Sequence, residues 1–168
     1  MPELSQRRWS RGRARLVRRL LTRFGQIDNR RRALLPEAVL YLLVARLALI
    51  FIPFPVLARR LGSFVPPSDA RVSQVRAPAP ADQSECAAAV SWAVTRAARY
   101  VPFKAVCLPQ AMAARVMLKR RGVQSVMHFG VAKDTEKPLD AHAWLDAAGV
   151  EVTGYPVAEN FAEIACFV

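Results

Sequence analysis

Cys107-Leu108-Pro109-Gln110-Ala111-Met112-Ala113-Ala114-Arg115-Val116-Met117-Leu118-Lys119-Arg120-Arg121-Gly122 reads as one helix from end to end. Proline stands in its first turn, basic residues fill its last turn, and Gly122 lies just past the end, the asymmetry that helix termini favour. Cys107 therefore stands at the helix mouth. It faces the positive end of the macrodipole and the N–H groups that have no intrahelical carbonyl. Such a position favours the thiolate, which is the nucleophilic form of cysteine.

A nucleophilic cysteine needs a base near it in space rather than in sequence. Asp140-Ala141-His142-Ala143-Trp144-Leu145 alternates as a short strand, Asp146-Ala147-Ala148-Gly149 reads as a turn, and Val150-Glu151-Val152-Thr153 returns as a second strand. His142 is the candidate base and Cys107 the candidate nucleophile. The plain alternatives are a small buried hydrophobe for the cysteine and a structural residue for the histidine. The residues alone do not decide between them.

Other elements extend outward from this pair. Asp82-Gln83-Ser84-Glu85 offers N-caps for a helix through Arg99 that places Ala87, Val90, Val94 and Ala97 on one face. Val123 to Ala132 alternates like a strand, Lys133 to Leu139 reads as a charged hairpin loop, and Phe161 to Val168 forms a last short element. Helices come first and an antiparallel sheet follows, which is an α+β arrangement. His128 reads as a core or surface residue of its strand, Trp144 as packing or a cleft wall, and Gln110 as helix surface. The backbone N–H of Cys107 is a better oxyanion donor than Gln110.

The chain of 168 residues supports one domain and buries about two-thirds of its unfolded surface. At 53% apolar residues it is globular, not generally disordered. Cys86, Cys107 and Cys166 are odd in number and lack C-x-x-C pairing; without a signal-peptide pattern they suit free thiols in a cytoplasmic protein. Cys86 and Cys166 read as core.

Residues 1–32 form a basic arm, with eleven arginines against Glu3 and Asp28, and helix-compatible spacing at Leu16, Leu20, Leu21 and Phe24. Anionic lipid, nucleic acid or an acidic polypeptide would suit such a charge. No nucleic-acid-binding motif accompanies it, so nucleic acid is disfavoured. Residues 33–62 are a hydrophobic helical segment whose main helix is expected to run about 16 residues from Pro36. Its length approaches a membrane span, but Glu37, Arg46, Pro53 and Pro55 interrupt it, and a central arginine costs about 2.5–3.5 kcal/mol on insertion. Peripheral membrane contact is the expectation that remains. Residues 63–81, with Pro66, Pro67, Pro78 and Pro80, read as a linker, and 82–168 as the catalytic core. No phosphate-cradling glycine loop, metal-ligand spacing or other cofactor motif is evident, so ATP binding has no support in the residues.

Taken in order, Tyr100-Val101-Pro102-Phe103-Lys104-Ala105-Val106-Cys107-Leu108-Pro109, Arg120-Arg121-Gly122, Phe129-Gly130-Val131-Ala132 and Ala141-His142-Ala143-Trp144 resemble the transglutaminase-like leader peptidases of lasso-peptide biosynthesis. The likeness covers roughly the last 90 residues and takes in the segment Ala33 to Gly62. It implies a transglutaminase-like or papain-like cysteine peptidase core with Cys107 and His142 catalytic. It also implies a precursor leader peptide as substrate, a separate small leader-recognition protein, and an asparagine-synthetase-like macrolactam cyclase as partners. The family commonly orients the histidine with an Asp about a dozen residues later. Here that seat is Thr153-Gly154-Tyr155, without an Asp. Glu151, a backbone carbonyl or Thr153, or an unassisted dyad are the options left.

Overall fold

The computed structural model describes residues 29–132 and 140–168; the leucine spacing at 16–24 and the 133–139 loop lie outside the described residues. The elements run α1 (Asn29–Phe51), α2 (Phe54–Leu61), β1 (Phe64–Val65), α3 (Ala70–Arg76), α4 (Ala81–Ala98), α5 (Cys107–Lys119), β2 (Val126–Ala132), β3 (Ala141–Ala147), β4 (Val150–Thr153) and β5 (Phe161–Phe167). The strands form one antiparallel sheet in the order β1-β5-β2-β3-β4. The α+β expectation thus holds, with the helix that begins at Cys107 and the strand that carries His142 where the pattern put them.

Strand alternation divides the sheet between two layers. On one side Met127, Leu145, Ala147, Val152 and Phe167 join Val90, Val94, Met112, Met117 and Leu118 of α4 and α5 in the main core. Each fully buried Leu or Met contributes about 1.5–3 kcal/mol of transfer free energy. A smaller cluster of Val65, Val72, Val126 and Cys166 closes the other side under α3.

Polar tethers set the helices against the sheet. Ser91 Oγ donates to Val152 O at 2.6 Å and Ser84 Oγ to Ala148 O at 2.9 Å. The guanidinium of Arg115, in mid-α5, donates to Ser125 O at 2.7 Å and Phe167 O at 3.0 Å. These bonds tie the middle of α5 to one end of β2 and β5.

Several expectations are corrected. Residues 63–81 are not a structureless linker: Phe64 and Val65 pair with Phe167 and Cys166, and Val72 of α3 is buried at 2% exposure. Asp69 makes the helix possible between prolines, because its carboxylate accepts from the Arg71 backbone N–H at 2.9 Å. Residues 33–168 form one compact unit, so the cuts at 62 and 81 do not separate bodies. Helix α1 starts at Asn29 with Pro36 inside it, not at Pro36. The N-cap of α4 is Pro80 rather than a residue of Asp82–Glu85. Strand β3 runs through Asp146, and the turn is confined to Ala148 and Gly149, both with positive φ (52° and 75°) as a tight hairpin requires.

Candidate active site

Cys107 is the first residue of α5 and is half-buried. The N-cap is Val106, whose side chain has nothing with which to cap, and Pro109 has no N–H to offer. The backbone N–H groups of Cys107 and Leu108 therefore open the helix without an intrahelical acceptor, the arrangement that receives a developing oxyanion. Gln110, read from sequence as helix surface, has a structural task. Its amide Nε2 donates to Ala105 O at 2.6 Å and ties down the loop that delivers the cysteine.

His142 lies near the start of β3, half-buried, with its ring 5.9 Å from Trp144 and 5.4 Å from Phe161. Its Nε2 is 2.6 Å from the carbonyl oxygen of Gly154. A carbonyl can only accept, so Nε2 donates this bond, and Nδ1 is the ring nitrogen left to take up a proton. Of the options for an orienting group, Glu151 is exposed, and the buried hydroxyl of Thr153 has no partner among the described residues. The backbone carbonyl of Gly154 holds the imidazole.

The glycine is required there. Gly154 has φ +84°, and a Cβ on it would fall 2.5 Å from Ala143 O and 2.8 Å from Trp144 Cα. At Gly154, the middle residue of the stretch Thr153-Gly154-Tyr155 where the resemblance would put an aspartate, there is no room for a side chain. Close backbone approach replaces a carboxylate with a carbonyl.

Helix α5 packs against β3 and β4 through the layer that holds Leu145 and Ala147. His142 lies in the alternate row with Trp144 and Asp146. His142 is thus on the side of the sheet turned away from the α5 layer, and among the described residues no hydrogen bond joins it to Cys107, a free cysteine.

A second cluster lies on the His142 row of the sheet. His128 is fully buried and stacks on Trp144 at 5.4 Å, with an interplanar angle of 6°. Its Nδ1 lies 2.5 Å from Glu163 Oε1 and 3.3 Å from Cys166 Sγ; its Nε2 lies 3.2 Å from Asp146 Oδ2. Asp146 also accepts from Arg76 Nε at 2.8 Å and from the Tyr155 hydroxyl. Burial pushes Asp146 upward, but the nearby His128 ring and the hydrogen bonds from Tyr155 and Arg76 outweigh it and hold the carboxyl below its ordinary range. Burial and the Glu163 carboxylate push the Cys166 thiol up, which favours its neutral form. Cys166 as core is correct, whereas Asp146 as a turn residue is not. The available signal was a polar residue within each apolar strand; the register that unites them was not readable.

A transglutaminase-like superfamily model matches residues 48–166, which takes in α5, the sheet as far as Cys166 and both clusters. The chain belongs to the transglutaminase-like superfamily. No curated protein and no solved structure matches it. Membership agrees with the α+β architecture and is compatible with a cysteine peptidase or an acyltransferase of the superfamily.

Proposed function

We propose that this transglutaminase-like protein is a cysteine peptidase that removes the leader from a lasso-peptide precursor, with Cys107 as nucleophile and His142 as base. The observation that carries the reading is the bond from His142 Nε2 to Gly154 O, because it leaves Nδ1 free to take a thiol proton. The open helix mouth at Cys107 supports it as well. The sheet sets a condition on this reading: His142 lies in the row opposite the layer that packs on α5, so the two side chains must meet at the edge of the sheet. Catalytic hydrogen bonds are often long without substrate and tighten in its complex.

In this scheme the thiol gives its proton to His142 Nδ1, and sulfur bonds the scissile carbonyl carbon. The oxyanion rests on the Cys107 and Leu108 N–H groups. Collapse breaks the C–N bond as Nδ1 returns the proton to the leaving amine. Water, deprotonated by the same nitrogen, then cleaves the thioester. The freed amine is the group an asparagine-synthetase-like cyclase would join to a carboxylate. A separate leader-recognition protein would present the precursor. Peripheral contact of a cytoplasmic protein with an anionic bilayer completes the proposal. Its support is α1, where Ala38, Leu42 and Ala45 face inward while Leu40, Leu43, Leu47 and Phe51 stay exposed.

The test is precursor cleavage with the recognition protein present. Wild type releases the leader and Cys107→Ala does not; undiminished cleavage by the variant ends the proposal. One observation favours a second reading, a non-catalytic scaffold that binds the precursor: the carboxylate seat is closed at Gly154. A folded wild-type protein that binds the precursor yet never cleaves it selects that reading.

A further inference from the structure

Glu163 and Cys166 are three residues apart on β5, and an unbroken strand would send them to opposite faces. A register shift opposite Phe129 and Gly130 prevents this: Glu163 pairs with Gly130, and Cys166 pairs with His128. The bulge puts a carboxylate, a thiol and an imidazole on one face, with Nδ1, Oε1 and Sγ all within 4.8 Å of one another. His128 and Cys166 have no exposed surface, while the Glu163 side chain keeps 22%, so the cluster opens to solvent through its carboxylate alone.

We propose that His128 Nδ1, Glu163 Oε1 and Cys166 Sγ bind a divalent zinc ion, with the fourth position open to water on the Glu163 side. The donor set of nitrogen, oxygen and sulfur suits a borderline-soft ion that accepts all three in tetrahedral geometry. The surroundings supply what such a site needs beyond its ligands. A metal-bound histidine ordinarily passes its second ring N–H to a carboxylate, which is itself held by other groups. His128 Nε2 is a buried ring nitrogen without a hydrogen bond among the described residues; Asp146 Oδ2 lies 3.2 Å from it, and Asp146 is itself held by Arg76 at 2.8 Å and by Tyr155. Ligand separations of 2.5, 2.9 and 3.3 Å compare with about 3.3–3.6 Å around tetrahedral zinc. The carboxylate must therefore swing outward by about 0.5–1 Å, in the direction where its side chain is exposed. Binding needs the thiolate and a free Nδ1 lone pair, so any protons these two atoms carry leave to solvent as the ion enters.

The experiment titrates cobalt(II), then zinc, into the full untagged chain and follows absorption and bound metal. Expected are one cobalt per chain, a near-ultraviolet sulfur-to-cobalt band with tetrahedral visible bands, and displacement of the cobalt by zinc. Cys166→Ser removes the sulfur band; Glu163→Gln, at a partly exposed position, weakens binding about tenfold or more, as does Asp146→Asn. Cys107→Ala and His142→Ala leave binding unchanged, so this result is independent of the peptidase reading. The inference is overturned if folded wild type takes up no stoichiometric metal, if the sulfur band persists in Cys166→Ser, or if it vanishes in Cys107→Ala. Should Cys166→Ser fail to fold, unchanged affinity in folded Glu163→Gln overturns it equally.

Discussion

Gly154 concentrates the account into one residue. Its left-handed backbone and lack of a side chain let its carbonyl reach His142, and both would be lost on substitution. Gly154→Ala is expected to lose about 1–2 kcal/mol from backbone conformation alone, with a further steric loss against Ala143 O. Thermal melting checks the stability, and leader release checks the activity, which falls. Gly154→Asp, which writes in the family's usual carboxylate, is expected to lower cleavage rather than raise it. A gain of activity with unchanged stability would show that the backbone yields and that the carbonyl is dispensable. Sequence could locate this seat by counting from His142. It could not reveal that a carbonyl fills it, because that depends on φ at one residue and on the packing of Trp144.

At the level of elements, two side chains hold pieces that the sequence pattern left loose. Arg115 anchors α5 to the ends of β2 and β5, and burial lowers its proton affinity without releasing its two carbonyl partners. Arg115→Leu is expected to cost about 2–3 kcal/mol, since charged hydrogen bonds are lost and acceptors are left behind; chemical denaturation reads it. Asp69 caps α3, and hydrogen bonds from the Arg71 side chain and backbone lower it from 3.8 to about 2. A group lowered on folding stabilises above its unfolded value and loses that contribution as pH falls through its folded one. The amides of α3 should therefore exchange faster as pH drops from about 4 toward 2, relative to those of α4. Asp69→Asn, which still caps, should remove the extra acid sensitivity; an unchanged acid response would assign it elsewhere. The helix was invisible beforehand because four prolines within 66–80 outweigh a single capping aspartate in any local reading.

Across the whole molecule, the order of helix, cysteine, strand and histidine was legible because each rests on local rules: terminal residues for α5 and alternation for β3. The polar cluster of His128, Asp146, Glu163 and Cys166 was not, because a bulge in long-range pairing assembles it. Helix α1 shows the same limit. Its buried stripe is narrow and its outer face is also apolar, so periodicity alone did not find its ends. That outer face, together with the eleven arginines in the sequence of residues 1–32, predicts that the full chain cosediments with anionic vesicles and not with neutral ones, and that Leu43→Glu with Leu47→Glu abolishes binding. Equal recovery of wild type and variant in the supernatant would remove membrane contact from the account.

The central claim is that Cys107 carries acyl-transfer chemistry, and trapping the acyl group tests it most directly. A thioester-forming activated ester of the precursor segment is incubated with the protein, and the adduct is mapped by peptide mass spectrometry. One acyl group on Cys107, absent from Cys86 and Cys166 and slowed in His142→Ala, is the predicted result. No adduct on Cys107, or equal labelling of Cys86, contradicts it.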